Sequence, residues 1–320
     1  MSFSVSVKEE LSWQWNQPRH CQIAELAALL GFCGTVSHDV KGHIRLRLST
    51  ENLPVARKVF TLFEKTFKIL PEISIKRSKR RKNPLYTIAF CEEEIAVRVL
   101  KATKLFSHNG KEVYEGGLVN PLVVQRMCCR RAFLRGAFLA AGSMSDPGKT
   151  YHFEIVCMSK KAAEQVRDLI YGFGLAAKVI LRKKSYVVYL KESERIVDIL
   201  NIMEAHISLM ELENIRILKD MRNTVNRKVN CETANINKTV SAAVKQVEDI
   251  NYLRETVGLE ALEANLEQVA LVRLSHQDAT LKELGEYLDP PVGKSGVNHR
   301  LRKISEIANK VRLSREGYYD

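Results

Sequence analysis

IAELAALLGFCG, residues 23 to 34, is an apolar segment with Glu25 as its one charge and small residues Ala27, Ala28, Gly31 and Gly34 at short intervals. A helix of that composition must be buried against another helix, and small side chains let two backbones approach closely. A partner of the same kind stands 108 residues further on: RAFLRGAFLAAGS, residues 131 to 143, with Gly142 in the place of Gly34. The two stretches predict a pair of packed, pseudo-equivalent helices at the centre of a duplicated unit.

The segments downstream of the two stretches correspond as well. After the first come an alternating strand His43 to Ser49, a helix Glu51 to Lys68, strands Ile73 to Lys76 and Leu85 to Phe90, and a helix Glu92 to Lys104. After the second come strand His152 to Met158, helix Lys160 to Phe173, strands Ala177 to Arg182 and Tyr186 to Leu190, and helix Ser193 to Ala205. Period-two and period-3.6 patterns recur in the same order. Gly110 to Gln125 joins the repeats; its Gly116-Gly117 lacks the strand-turn-helix context and trailing Lys of a phosphate-binding loop. Ahead of the first repeat, SFSVSVKEELSW alternates, turns helical, and is expected to dock on the first domain.

The paired helices, reading LAALLGFCG from Leu26 to Gly34 and LRGAFLAAG from Leu134 to Gly142, resemble the motif helices of LAGLIDADG homing endonucleases. In that family an acidic residue precedes each final glycine, and the two acids hold the metal ions that cut DNA. Here those positions are Cys33 and Ala141, before Gly34 and Gly142. Hard divalent cations take oxygen ligands; alanine supplies no ligand and cysteine a soft one. Asp39 and Asp146 lie beyond the glycines, in the following loops. The resemblance implies a nuclease fold without its chemistry. It also implies that the sheets form a saddle on duplex DNA.

Charge supports an anionic partner. The 320 residues carry a formal net charge of +13 and are 45% hydrophobic, enough for two or three domains with cores of their own. Residues 41 to 104 hold 16 basic and 6 acidic side chains. One hairpin tip reads Lys76-Arg77-Ser78-Lys79-Arg80-Arg81-Lys82 and its counterpart Arg182-Lys183-Lys184, so Arg77, Lys79, Arg80, Arg81, Lys82, Arg182, Lys183 and Lys184 are candidate phosphate contacts. A charge run is also an ordinary solvated loop; its recurrence at equivalent hairpins favours contact. No apolar run approaches the ~20 residues that span a bilayer, and Lys8, Glu9 and Glu10 stand where a signal peptide needs an apolar core. The expected location is the cytoplasm, at the nucleoid. Seven cysteines, Cys21, Cys33, Cys91, Cys128, Cys129, Cys157 and Cys231, lack CxxC spacing, which predicts small buried hydrophobes, with no disulfide framework, no zinc site and no cofactor.

Composition changes after Ala205. Leu209 to Val229 is predicted as a charged helix broken at Asn230 to Asn235, Lys238 to Val257 as a further helix capped by Gly258, and Glu263 to Leu274 as the first helix of a terminal module. LKELGEYLDPPVGKSGVNHRLRKISEIAN, Leu281 to Asn309, then reads as a helix-turn-helix. Thr280 caps a helix with Leu281, Leu284 and Leu288 on one face, and Asp289 to Gly293 ends it. From Lys294 a second helix turns Val297, Leu301, Ile304 and Ala308 inward, leaving Ser295, Asn298, His299 and Arg302 outward as candidate base readers. Lys294, Arg300 and Lys303 could meet phosphates. A solvated basic helix in an ordinary hairpin is the plainer reading, weakened by the Pro-Pro turn and the Ser-Gly entry.

The run NRKVNCETANINKTVSAA, Asn226 to Ala243, together with SGVNHRLRKI and the order of parts, is similar to the WhiA family of bacterial sporulation and cell-division regulators. Asn226, Arg227, Asn230, Glu232, Asn235 and Lys238 are either a contact surface or buried caps and ties. The expected fold is α+β: a duplicated LAGLIDADG-like saddle domain, 1–205, with repeats at about 20–110 and 125–205, a helical linker, 206–258, and an all-α helix-turn-helix domain, 259–315. The resemblance implies a non-enzymatic transcription regulator of double-stranded promoter DNA; a monomer is expected because one chain contains both motif helices, and another regulator or RNA polymerase is the further partner considered. Its rivals are an active homing-type endonuclease and an interaction scaffold in which only the C-terminal module binds DNA.

Overall fold

The structure is a computed structural model that describes residues 2–40, 42–77, 83–106 and 118–316, with Glu316 described by its backbone alone. It divides into two compact units, Met1–Lys219 and Asp220–Asp320.

In the first unit the duplication is literal. Helix α2 (Arg19–Cys33) leads straight into strand β1 (Gly34–His38), followed by β2 (Ile44–Thr50), helix α3 (Leu53–Phe67), β3 (Glu72–Lys76), β4 (Leu85–Phe90) and helix α4 (Glu93–Ala102). Helix α5 (Met127–Ala141) leads into β5 (Gly142–Met144), then β6 (Phe153–Cys157), helix α6 (Lys160–Tyr171), β7 (Lys178–Arg182), β8 (Ser185–Leu190) and helix α7 (Ser193–Met203). Each repeat makes an antiparallel four-stranded sheet, in the orders β1-β2-β4-β3 and β5-β6-β8-β7. Strands β1 and β5 are additions to the pattern expected from the sequence. They form because each motif helix stops at its glycine and continues as extended backbone, φ −84° at Gly34 and −86° at Gly142. A Cβ on Gly34 would stand 2.3 Å from the Leu30 carbonyl oxygen, and one on Gly142 2.2 Å from the Phe138 ring. The glycines are there because the exiting strand folds tightly over the last helical turn.

Helices α2 and α5 pack on each other, with Gly136 set so close to α2 that a Cβ there would stand 2.5 Å from the Glu25 carbonyl oxygen, and Leu26, Leu29, Leu30, Phe133, Leu134 and Phe138 are all buried. Their pairing also encloses charge. Glu25 Oε1 accepts from Arg135 Nε and pairs with Lys58 Nζ, both at 3.2 Å, while Arg135 Nη1 donates to Glu204 Oε2 at 2.6 Å and to the Met203 carbonyl at 3.2 Å. Burial works against both cations. At Lys58 it prevails and lowers the pKa, whereas at Arg135 Glu25 and Glu204 outweigh it and the pKa is raised. The N-terminal segment is helix α1 (Phe3–Trp13) from its start, because Phe3, Val7 and Leu11 share one buried face; it docks on α3 and α5 as expected.

Helix α8 (His206–Thr256) runs unbroken for 51 residues, and the predicted break at Asn230 to Asn235 does not occur. No Gly or Pro stands between His206 and Val257; Asn, Cys and Thr lower helix propensity by only fractions of a kcal/mol each, ~0.7 at most, and do not end a helix. Asn226, Arg227, Asn230, Glu232, Asn235 and Lys238 are all exposed, so they are not buried caps or ties. In the second unit α8 is followed by a 3-10 turn (Leu259–Ala261) and helices α9 (Ala264–Ser275), α10 (Leu281–Glu286) and α11 (Lys294–Glu316). Ile250, Leu253, Leu266, Val269, Leu284, Leu288, Val297, Leu301, Ile304 and Ala308 share one core. No helix among the described residues is long and apolar enough to cross a membrane.

Candidate nucleic-acid interface

Helix α10 begins with a capping box: Thr280 Oγ1 accepts from the Glu283 amide at 3.4 Å and Glu283 Oε2 from the Thr280 amide at 2.7 Å. The bonds from Thr280 hold the Glu283 carboxyl below the usual carboxylate range. The helix ends at Glu286, earlier than the Asp289-Pro290 stop predicted for it. The turn is closed by the Val292 amide donating to the Gly285 carbonyl at 3.0 Å, and a Cβ on Gly285 would lie 2.0 Å from the Val292 oxygen. Gly285 therefore sets the close approach of the two helices, with the prolines acting downstream of it.

Helix α11 begins at Lys294, as the sequence predicts, and its inward residues Val297, Leu301, Ile304 and Ala308 are buried. Ser295, Asn298, His299 and Arg302 are exposed and line one shallow cleft with Lys303 and Glu306. The far end is tied down by Arg312 to Asp249 at 2.7 Å and by Arg315 donating to the Thr256 carbonyl at 3.3 Å. Arg273 braces the approach to α10, donating to Gln246 Oε1 at 2.8 and 3.0 Å and to the Ala279 carbonyl at 2.7 Å. The predicted phosphate contacts differ among themselves. Lys294 is exposed, Arg300 is half-buried, and Lys303 Nζ is held by Glu263 Oε1 at 2.7 Å.

In the first unit, Cys33 and Ala141 are the last residues of α2 and α5, and Gly34 and Gly142 the first of β1 and β5. Cys33 Sγ donates to the Leu29 carbonyl at 3.0 Å, and burial pushes its thiol up to about 12. The buried Lys8 of α1 lies over the Phe138 ring at 5.8 Å and carries its charge near Cys33. A cation thus lies beside Cys33, the residue that precedes the first motif glycine.

Of the basic hairpins, Lys183 and Lys184 are exposed at the two-residue tip between β7 and β8, with Lys183 at φ 58°. Arg182 is instead drawn to Glu154 at 3.1 Å. Arg77 is exposed; Lys79, Arg80, Arg81 and Lys82 lie outside the described residues. Two sheet-borne cations escape the reading of the sequence: Arg45, bonded to Asp39 at 3.0 Å, and exposed Arg47, both on the face of β2 opposite its buried Ile44, Leu46 and Leu48. Strict alternation in HIRLRLS is the signal for them. The cysteines require a correction as well: Cys91, Cys128 and Cys231 are exposed rather than buried, and His20, Cys21, Cys128 and Cys129, free of CxxC spacing, have ligand atoms within 4.8 Å of one another. Helix pairing, which spacing along the chain does not report, brings them together.

Fold and site together define a duplicated LAGLIDADG-like domain joined to a helix-turn-helix module. Three family models match the chain in that order: the WhiA N-terminal LAGLIDADG-like domain at residues 19–106, the WhiA LAGLIDADG-like domain at 130–222 and the WhiA C-terminal HTH domain at 225–308. "Probable cell division protein WhiA" of Lachnoclostridium phytofermentans is 54% identical over 98% of this chain and 100% of its own length. The protein of that name from Alkaliphilus oremlandii is 52% identical over 97% and 98%. The crystal structure of full-length DUF199/WhiA from Thermatoga maritima superposes with a TM-score of 0.58 at 26% identity, over 97% of this chain and 99% of that one. The chain belongs to the WhiA family.

Proposed function

We propose that the chain is a sequence-specific DNA-binding transcription regulator, acting in the cell-division process for which its relatives are named. The observation that carries the reading is the exposed face of α11. Ser295, Asn298, His299 and Arg302 project from a helix whose opposite face is locked into the core, behind a capped α10 and the Gly285 turn. Asn and Arg can make paired hydrogen bonds to adenine and guanine edges in the major groove; Lys294 and Arg300 would meet the flanking phosphates. Lys303 would join them by exchanging Glu263 for a phosphate.

The LAGLIDADG-like domain, in this reading, does not cut DNA. Cys33 spends its proton on the helix backbone, Ala141 has no ligand atom, and Lys8 brings positive charge where a divalent ion would need negative. Its basic surface remains for duplex DNA or for a protein of the transcription machinery. A promoter duplex places the chain in the cytoplasm beside the nucleoid, and one chain already carries both motif helices, so a monomer suffices.

Binding measured across operator variants tests the reading. Arg302→Ala should lose ~1–3 kcal/mol and relax specificity at one base pair. An Arg302→Ala protein with unchanged affinity and unchanged sequence preference would remove α11 as the reader.

A further inference from the structure

At the start of α2, His20 and Cys21 face Cys128 and Cys129 at the start of α5. His20 Nδ1 is 3.2 Å from Cys129 Sγ, 3.3 Å from Cys21 Sγ and 4.0 Å from Cys128 Sγ. The pairs are equivalent in the duplication: Cys21 and Cys129 each stand 13 residues before the motif glycine, Gly34 or Gly142, and His20 corresponds to Cys128. Each repeat therefore contributes two donors from one helical turn, and the pairing of α2 with α5 makes a four-donor cage.

We propose that His20, Cys21, Cys128 and Cys129 bind one zinc ion, which staples the two repeats together at the N-terminal ends of α2 and α5. The donor set chooses the metal. Three sulfurs and one imidazole nitrogen suit a borderline-soft ion that takes four ligands, whereas magnesium and calcium require oxygen. Size agrees: zinc–sulfur and zinc–nitrogen bonds of ~2.3 and ~2.05 Å at tetrahedral angles put a sulfur about 3.6 Å from the nitrogen and about 3.8 Å from another sulfur. The observed sulfur–nitrogen separations of 3.2, 3.3 and 4.0 Å bracket the first of these. A cage within 4.8 Å is too small for a polynuclear iron–sulfur cluster, whose cysteine sulfurs stand further apart around several irons.

On binding, the three thiols release their protons to solvent and His20 coordinates as neutral imidazole through Nδ1, leaving a site of net charge −1. Two helix N-termini converge on it, and their dipoles favour that charge. All four positions are filled from the protein, which marks a structural ion without an open position for substrate. The site is also separate from the degenerate nuclease positions. Cys21 and Cys33 are twelve residues apart on α2, about 18 Å along a helix axis. Cys128 is exposed and gives the ion a way in, while Cys21 and Cys129 are buried.

The test uses the full chain, purified under reductant without chelator and analysed for metals by mass spectrometry. One zinc per chain is expected. Cobalt added to the stripped protein should give the visible bands of a tetrahedral thiolate site and near-ultraviolet sulfur-to-cobalt charge transfer. Cys128→Ser and His20→Ala should weaken cobalt affinity at least about tenfold while keeping the helical circular dichroism of the wild type. Cys91→Ser and Cys231→Ser, at exposed cysteines outside the cage, should bind as the wild type does. Removing the ion should lower the melting temperature of the wild type and leave that of Cys128→Ser unchanged. The proposal is overturned by reduced wild-type protein that gives no tetrahedral cobalt spectrum, or by a folded Cys128→Ser/His20→Ala protein that binds cobalt as tightly as wild type.

Discussion

The two repeats share strand order and register but differ in the middle of the sheet face turned away from their helices. In the first, alternation places Thr35, Ser37, Arg45, Arg47, Ser49, Glu72, Ser74, Lys76, Leu85, Thr87 and Ala89 on that face, with Ser49 and Thr87 oxygens 3.3 Å apart. In the second, the positions equivalent to Thr35, Arg47, Ser49, Ser74, Lys76, Thr87 and Ala89 hold Ser143, Glu154, Val156, Ile180, Arg182, Val187 and Tyr189. Glu154 lies in β6 and Arg182 in β7, so their ion pair crosses β8 and lies over the apolar middle of the face. Glu154 also accepts from Ser143 at 2.9 Å and contacts His152 Nε2 at 3.1 Å. Burial opposes charge on Glu154, yet these bonds and the charges of His152 and Arg182 win and hold its carboxyl below the usual range. Duplication has preserved the frame of backbone pairing, which depends on the pleat. The outer surface, which depends on single side chains, has diverged.

The core is asymmetric in the same way, and the largest predicted effect lies there. Glu25 comes from α2, where the equivalent position of α5 is Phe133; Arg135 comes from α5, where the equivalent of α2 is Ala27. Each repeat supplies a partner of its own, Lys58 for Glu25 and Glu204 for Arg135, and the Glu25–Arg135 pair joins the two into one buried network. Glu25→Ala strands Lys58 and leaves Arg135 with Glu204 as its carboxylate partner, and should cost ~3–5 kcal/mol in urea unfolding. Glu25→Ala/Arg135→Met should recover part of that loss, since removing both partners leaves less buried charge. Additive losses would mean that the two side chains do not act as a pair.

Lys8 offers a smaller effect with a pH signature. It covers the end of α5 at Phe138, whose equivalent in α2 is Leu30, so the N-terminal helix treats the repeats differently. Burial lowers its pKa from 10.5 to about 8, with Cys33 acting in the opposite direction. Below pH 8 folded and unfolded chains both hold the proton, and the cost of burying the ammonium is present in full. Between about 8 and 10.5 only the unfolded chain holds it, so this group makes stability rise with pH. Lys8→Met should stabilise the protein at pH 7 by about 1–3 kcal/mol and flatten that rise. Thermal melts of the two proteins at pH 7 and pH 9.5 check both parts, and a parallel rise in Lys8→Met would clear Lys8 of responsibility.

These asymmetries mark the boundary of what the sequence discloses. The paired helices, the order of strands and the start of α11 at Lys294 are legible because hydrophobic period and glycine placement are local signals. The continuity of α8 is not, because a polar run through Asn230 and Asn235 resembles a loop until one asks which residues can actually stop a helix. The cage of His20, Cys21, Cys128 and Cys129 is hidden for a different reason. Metal-ligand spacing is ordinarily sought within a segment, and here it exists only across a helix pair; superposing the two repeats by their glycines aligns the ligand pairs. The Arg182–Glu154 bond is tertiary as well, so equivalence of the two basic hairpins overstates the resemblance of their surfaces.

The difference between the sheet faces gives the smallest effect and the sharpest comparison. Each phosphate neutralised by a cation releases counterions, so losing one contact lowers the slope of log affinity against log salt by ~1. Arg47 is exposed on a polar, basic face, whereas Arg182 is already committed to a carboxylate. With operator DNA and full-length protein, Arg47→Ala should therefore reduce the slope by about 1, and Arg182→Ala should leave it unchanged. Equal reductions would mean that DNA displaces Glu154 from Arg182 and that both faces carry duplex. No change from either would mean that the first unit binds no phosphate through its sheets, leaving promoter contact to α11 alone.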